Sequence, residues 1–414
     1  MAVVKSDPVG WFLDHQSYIN QWYRCCHLLA PDTCCHRYIF RAGYFNVEKP
    51  RIARTCGQAP DTGPKELKSR NRKRKGRELN QGEVEAQAYH EKVGPAIQDG
   101  TRKLVEHMEA KETSREGGSS GQGQTQVPAD TMLVELCSLA KQLPEEEWQV
   151  QVITKVSVPD LELLGRLTEN GTDCARLVRL MGHQYLVPPR CAFLLSDISR
   201  MEPLLGYKKY DVIALDPPWE NKSLKRKKGY SHLFPWQIRQ LPVPFLSAPG
   251  CLVVCWVTNR QRHLHFVKED LYPGWSVEVV AVWHWVKVTR RGEFVVPLDS
   301  LHKKPYEILV VGRYRGGPAQ QGRDDCSGYA AVPDHKLIVS VPCTLHSHKP
   351  PLGEVLKGLA RPHAECLELF ARNLQPGWTS WGNEVLRFQH LSYFQELEAE
   401  EGAKSCSCPH TQTA

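Results

Sequence analysis

Asp211-Val212-Ile213-Ala214-Leu215-Asp216-Pro217-Pro218-Trp219 is the stretch that decides the fold: an apolar run of strand length leads directly into an acid, two prolines and a tryptophan. Outward from it, similar runs recur as CAFLL (191–195), CLVVCWV (251–257), VEVVAVWHWV (277–286), YEILVVG (306–312), KLIVSV (336–341) and CLELFA (366–371). Near-continuous apolar strands that alternate with helical or loop segments mark an α/β domain whose mostly parallel sheet is buried on both faces. Sheets of this kind bind ligands beyond the carboxyl ends of their strands. The residues just after each run are therefore the candidates for chemistry.

Asp216, Pro217, Pro218 and Trp219 occupy one such end. The exocyclic amine of adenine is a poor nucleophile, because its lone pair is delocalised into the ring. A carboxylate accepting one N–H and a backbone carbonyl accepting the other would draw that nitrogen toward tetrahedral geometry. Asp216 supplies the carboxylate, and Pro217 offers a C=O without a competing N–H. Consecutive prolines fix φ, so the acceptors are arranged before the base arrives. Trp219 is placed to stack on a flipped-out base.

Asp-Pro-Pro-Trp after a buried strand resembles motif IV of the N6-adenine methyltransferases, the family that contains the catalytic subunit of the mRNA adenosine methyltransferase. The resemblance spans roughly residues 185 to 390 and is carried further by SDIS (196–199), DPPWENKS (216–223), WVTNRQ (256–261), WHWVK (283–287), HKKPYE (302–307), DHKLIVSVPCTLHSHKPP (334–351) and LELFARNLQPGWTSWGNE (367–384). It implies a circularly permuted Rossmann-type methyltransferase domain that uses S-adenosylmethionine. No Gly-rich turn precedes the motif strand; the element that meets the cofactor in the family is Leu367–Asn373, well downstream. Arg372 and Asn373, just past that strand, can bond ribose hydroxyls or the methionine carboxylate. By the same resemblance Asp197 and Ile198 face the cofactor adenine, Asp216 doubles as partner of the methionine amino group, Lys349 pairs with the methionine carboxylate, and Asn383 and Glu384 reach the ribose or adenine. The mRNA enzyme carries Gln where this chain has Glu384.

On the substrate side, Lys222, Lys225, Arg226, Lys227 and Lys228 precede Gly229-Tyr230, a basic loop suited to a phosphate backbone with Tyr230 near the base. Arg260, Arg262, His263, His302, Lys303 and Lys304 add further phosphate or ribose contacts. Trp256, Trp283 and Trp285 suit core packing and base stacking equally. The resemblance points to internal adenosine in RNA, in particular 2′-O-methyladenosine of a small nuclear RNA. Adenine in DNA is the main alternative. A catalytically dead RNA-binding scaffold is a second, and a small-molecule or protein-amide methyltransferase a third.

Composition agrees with an ordinary globular protein: 414 residues, 41% hydrophobic, 24% charged, formal net charge +7. No stretch approaches 18 uncharged apolar residues, and no apolar core of a secretory signal precedes Asp14, so neither a membrane span nor secretion is expected. Fifteen cysteines, some adjacent, suit reduced intracellular thiols. Cys25-Cys26-His27 and Cys34-Cys35-His36 are too closely spaced to hold one ion well, so they read as buried thiols and no metal is expected. Residues 65–77 (KELKSRNRKRKGR) form a basic run that reads as a nuclear import signal or a phosphate-binding arm, with the cytoplasm left open as a second location. The divisions that follow are an aromatic and Cys-rich N-terminal segment (1–64), a basic linker (65–81), a helical segment (82–112) that Gly94-Pro95 should break or kink, and a Gly/Ser/Gln-rich flexible linker (113–128). A mainly helical middle domain (129–189), the methyltransferase domain (190–395) and a flexible tail (396–414) complete the chain. The mRNA enzyme holds RNA with Cys/His fingers and a degenerate partner subunit. Residues 1–189 lack that finger pattern and are expected to stand in for the partner, letting one chain act as a monomer.

Overall fold

The computed structural model describes residues 2–27, 36–50, 80–106, 150–153, 165–196, 200–220, 233–300, 303–316 and 330–397. In chain order its strands are β1 (Val3–Asp7), β2 (Gly10–Leu13), β3 (Cys26–His27), β4 (Arg37–Phe40), β5 (Gln151–Val152), β6 (Leu167–Asn170), β7 (Ala175–Leu180), β8 (His183–Val187) and β9 (Cys191–Leu194). They continue as β10 (Tyr210–Leu215), β11 (Ser247–Val257), β12 (Val277–Lys287), β13 (Tyr306–Tyr314), β14 (Leu337–Ser340), β15 (Cys366–Leu369), β16 (Trp378–Trp381) and β17 (Phe394–Leu397). Twelve of these form one sheet, ordered β1-β2-β14-β12-β13-β11-β10-β15-β16-β9-β6-β5.

Each of the seven apolar runs is a strand of this sheet. β10 lies at its middle, parallel to β11 and to β15, and every residue of β10 is buried. Alternation sends Ile213 and Leu215 to one face and Val212 and Ala214 to the other, where each pair joins a separate hydrophobic cluster. β15, β16 and β9 continue in parallel. β13 runs antiparallel between β11 and β12.

The N-terminal segment is not separate from this sheet. β2 pairs in parallel with β14, with Gly10 opposite Leu337. A Cβ on Gly10 would stand 1.9 Å from the Leu337 carbonyl oxygen, so only glycine permits that approach. Farther along, β4 pairs with β17 and so ties residues 37–40 to the end of the described chain.

After the short helix α1 (His15–Asn20) comes α2 (Gln81–Val105), which packs against β2 and β14. Its start is fixed by a capping box, Asn80 Oδ1 accepting from Glu83 N–H and Glu83 returning the bond to Asn80 N–H. Contrary to expectation, α2 runs unbroken through Gly94-Pro95. Its buried stripe, Ile97, Gly100, Thr101 and Leu104, secures the helix on the sheet and outweighs the lost hydrogen bond.

The middle segment also departs from expectation. Its described part is strand rather than helix: β5, β6 and the hairpin β7–β8. The turn residues Met181 (φ 50) and Gly182 (φ 78) both have left-handed φ, as a tight type I′ hairpin requires. The sidedness of Ala175-Arg176-Leu177-Val178-Arg179-Leu180 therefore belongs to a strand. Leu133, Leu136, Leu139 and Ala140, both linkers' central residues and all but Glu396 and Leu397 of the tail lie outside the described residues.

Cys26 is a buried thiol as expected, whereas Cys25 is disulfide-bonded; Cys174 Sγ lies 3.4 Å from Cys25 Sγ in the same sulfur cluster. Among the described residues no helix is long and apolar enough to cross a membrane.

Candidate active site

Because β9, β16, β15, β10 and β11 are parallel, their carboxyl ends meet along one edge. Backbone hydrogen bonds lace those ends together: Asp216 N–H to Leu369 C=O, 3.3 Å; Ala371 N–H to Trp381 C=O, 2.9 Å; Gly382 N–H to Leu194 C=O, 3.3 Å. Gly382 lets the two turns meet, since a Cβ there would lie 2.9 Å from the Ala371 carbonyl oxygen. Phe370 (φ 61) and Ser347 (φ 67) hold left-handed backbone on this edge, a strain of a kind that collects at functional sites.

Asp216 sits at the centre and is only 7% exposed. Its Oδ2 accepts from Arg372 Nη1 at 2.7 Å and from Ser347 Oγ at 3.5 Å, and Lys349 Nζ lies 3.5 Å from Oδ1. Arg372 Nε donates to Glu384 Oε2 at 3.1 Å, and Arg387 Nη1 to Glu384 Oε1 at 3.0 Å. On the other flank Lys349 and Lys287 both pair with Glu307. The result is an alternating chain of charges, Lys287, Glu307, Lys349, Asp216, Arg372, Glu384 and Arg387, along the sheet edge.

Burial opposes charging Glu307, but the ammonium groups of Lys287 and Lys349 outweigh it and hold its carboxyl well below the usual range. Burial likewise opposes the Lys349 charge, yet Asp216 and Glu307 raise its pKa above the ordinary lysine value. Lys349 also lies over the rings of Trp256, 5.5 Å, and Trp285, 6.0 Å. Burial and the positive charges of Arg372, Arg387 and Lys349 push His346 below its ordinary value. The loop that carries Lys349 is gripped by rings from both ends of the described chain: His348 stacks on Phe388 at 4.1 Å and meets His15 of the N-terminal segment edge-on at 4.7 Å.

Asp216 is thus brought together with Lys349, Arg372 and Glu384, which follow it in sequence by more than 130 residues. Asn373 and Asn383 are half-buried on the same edge. Two expectations change. Both oxygens of Glu384 are engaged by Arg372 and Arg387, so a ribose hydroxyl would have to displace or share an arginine. Trp219 is 7% exposed, stacks on His263 at 4.9 Å and donates Nε1–H to the Trp256 carbonyl at 2.8 Å. Its covered face is therefore unavailable to a base, and the indole instead braces the Pro-Pro turn. Pro217 C=O accepts Trp219 N–H at 2.8 Å, with one lone pair remaining for a second donor.

Trp256, Trp283 and Trp285 are core residues, each no more than 3% exposed. Arg260 Nη1 reaches the Glu220 carbonyl at 3.2 Å, immediately beyond the Pro-Pro-Trp turn, and Arg262 pairs with the Glu220 carboxylate at 2.9 Å. Burial together with Arg262 and Arg260 lowers His263 to about 4, so it is neutral beside Trp219. Lys303 is exposed, whereas Lys304 turns back to Gln87 of α2 at 3.4 Å. Asp197, Ile198, Lys225, Arg226, Tyr230 and His302 lie outside the described residues; Ser196, next to Asp197, is fixed by the indole N–H of Trp381 at 2.9 Å. Sequence reasoning did not single out Glu307, Lys287, Ser347 or Arg387. Glu307, an acid inside the apolar run YEILVVG, was the available signal.

A sheet that gathers its parallel strand ends on one charged edge, with a rigid acidic turn at the middle, has the architecture of an α/β methyltransferase. Residues 210–384 match the MT-A70 family. The chain is 44% identical over 96% of its length, and all of the other, to the Homo sapiens N(6)-adenine-specific methyltransferase METTL4. It is 35% identical to the N6-methyladenosine RNA methyltransferase MTA1 of Pyricularia oryzae over 54% of this chain and 60% of that one. Against the DNA N6-methyl methyltransferase of Caenorhabditis elegans it is 32% identical, over 51% and 56% of the two chains. The chain belongs to the MT-A70 family and is an N6-adenine methyltransferase.

Proposed function

We propose that this enzyme transfers a methyl group from S-adenosylmethionine to the N6 amine of adenosine in RNA, with 2′-O-methyladenosine of a small nuclear RNA as the target. The observation that carries the reading is Asp216 held on a rigid Pro-Pro turn between Lys349 and Arg372. The donor set suits a zwitterionic amino-acid tail: Asp216 offers an acceptor to its ammonium, and Lys349 and Ser347 offer donors to its carboxylate. Asn373 and Asn383, half-buried on the same edge, carry amides that would suit ribose hydroxyls. The sheet order supports a circular permutation, because β15, which the family uses for the cofactor, lies beside β10 although it follows it by roughly 150 residues in sequence.

S-adenosylmethionine supplies an electrophilic methyl group on a sulfonium. The protein's part is to hold the amine: Asp216 and the second lone pair of the Pro217 carbonyl accept its two N–H bonds and free the lone pair. With that group bound, the new C–N bond would form as the C–S bond breaks with its electrons to sulfur, and the nitrogen would then release one proton to water. Asp216 acts as an acceptor rather than a strong base, since a carboxylate cannot deprotonate a neutral aryl amine. The long basic run 65–77 supports nuclear import, and the pairing of residues 10–13 with the catalytic sheet supports action as a single chain.

Tritiated methyl transfer to matched oligonucleotides carrying adenosine, 2′-O-methyladenosine or deoxyadenosine tests this. Preference for the 2′-O-methylated RNA is expected, with Asp216→Ala lowering the rate at least about a hundredfold. Transfer to deoxyadenosine alone would move the substrate to DNA.

A further inference from the structure

The exposed large apolar side chains are unevenly placed. Among the described residues, the aromatic ones are Phe234, 51% exposed, Trp236, 59%, and Phe245, 70%. All three lie in the segment that leads from the catalytic turn to β11. Phe234 and Trp236 are close to the chemistry, because the neighbouring Leu233 N–H donates to the Pro218 carbonyl at 3.2 Å.

The segment that carries these two rings is anchored rather than loose. Phe234 caps the helix α4 (Pro235–Arg239), which follows the short α3 (Glu202–Leu205), and Gln237 Oε1 accepts the Phe234 N–H at 3.0 Å. Pro235 at the first helical position fixes φ. Ile238 is fully buried in the main hydrophobic cluster, and Trp275 Nε1–H donates to the Arg239 carbonyl at 3.0 Å. The helix is thus anchored through its buried side while Phe234 and Trp236 face solvent. An exposed aromatic pair without function is a solubility liability.

Charge favours a nucleic acid over a protein as occupant. Arg239 and Gln240, on the same short segment, are exposed. Arg260 and Arg262 contact Glu220 at the far side of the catalytic turn. Aromatic faces next to cationic side chains are how single strands are held: bases stack, and phosphates meet the cations. A double helix has no unpaired base to offer.

We propose that Phe234 and Trp236 form a stacking platform for the unpaired bases that flank the target adenosine in single-stranded RNA. This rests on the reading of the protein as an RNA adenosine methyltransferase, and it adds a binding site that the catalytic residues do not supply. It also gives the enzyme a preference for unpaired over duplex targets.

The test uses the full chain and an RNA of roughly fifteen nucleotides with one target adenosine, compared with the same RNA lacking the bases on either side of it. Removing the flanking bases should weaken binding to the native protein about tenfold. In Phe234→Ala/Trp236→Ala, KM for the intact RNA should rise about tenfold with kcat unchanged, and the two RNAs should bind alike. Phe234→Tyr/Trp236→Phe should restore the difference. Should the alanine variant fail to fold, the comparison of the two RNAs on the native protein still decides. Equal binding of both RNAs by the native protein, or equal weakening of both by the variant, overturns the platform. A native dimer that the variant splits, with RNA binding untouched, also overturns it in favour of a second copy of the chain. Absence of methyl transfer to any adenosine RNA by the native protein would instead strike the underlying reading.

Discussion

Glu368 permits a quantitative test of how this site is built. It lies in β15, between Ala214 of β10 and Ser380 of β16, and is 9% exposed. Burial raises its carboxyl to about 7, with the negative charge of Asp216 adding to the rise, while Gln375 Nε2–H at 3.0 Å and the Arg372 charge pull the other way. The ordinary value is 4.5. Between 4.5 and 7 the native chain therefore holds one proton more than the unfolded chain, so the contribution of Glu368 is favourable in acid and is lost as pH rises through that window. At about 1.4 kcal/mol per pH unit, the charged form at pH 8 costs on the order of 3 kcal/mol. Glu368→Gln keeps the shape and removes the charge. It should raise the urea midpoint by about 1 M at pH 8, taking an m-value near 3 kcal/mol/M, and leave it nearly unchanged at pH 5. A shift that is the same at both pH values, or a loss of stability at pH 8, would refute the reasoning from charge burial.

Lys349→Met should destabilise the protein by about 3 kcal/mol at neutral pH, because it leaves buried Asp216 and half-buried Glu307 short of a cation. Glu307 lies below its ordinary 4.5, so the stability its ion pairs confer is present above that pH and lost as pH falls below it. Paired melting curves should accordingly show the deficit narrowing in acid. Gly10→Ala puts a methyl into the Leu337 carbonyl and should release β1 and β2 from the sheet. New proteolytic cleavage near residue 15 and a loss of several kcal/mol are expected, and unchanged protection would argue against the assigned strand pairing.

The catalytic half of the fold could be read directly because its strands are buried on both faces and so are written as continuous apolar runs. β10 with its acidic turn, and β15 with Arg372 beyond it, needed no knowledge of their neighbours. β7 and β8 did not announce themselves in that way. They are half-buried, and Arg176 and Arg179 interrupt a pattern whose spacing also fits a helix turn. Only the left-handed pair Met181-Gly182 separates the two readings, and that pair is plain once a hairpin is considered. Gly94-Pro95 misled for the opposite reason: a local rule was overridden by packing of residues 97–104 on the sheet. The ion-pair chain was legible only in part. Which acid meets which base depends on register between strands far apart in sequence, so Asp216, Arg372 and Lys349 could be named, whereas Glu307 showed only as an acid within an apolar run and Arg387 not at all.

The pairing of β2 with β14 has a consequence for how the chain is made. Gly10, Trp11, Phe12 and Leu13 find their partners only at residues 337–340. At the usual pace of synthesis, roughly 5–20 residues per second, they wait on the order of half a minute after emerging. For that interval an apolar strand edge with an exposed ladder of amides is without its native neighbour, which is when β-strands pair wrongly. A segment made some 300 residues ahead of its partner strand is therefore fixed only after that strand appears, and shielding of residues 3–13 during translation becomes a condition for reaching the native sheet.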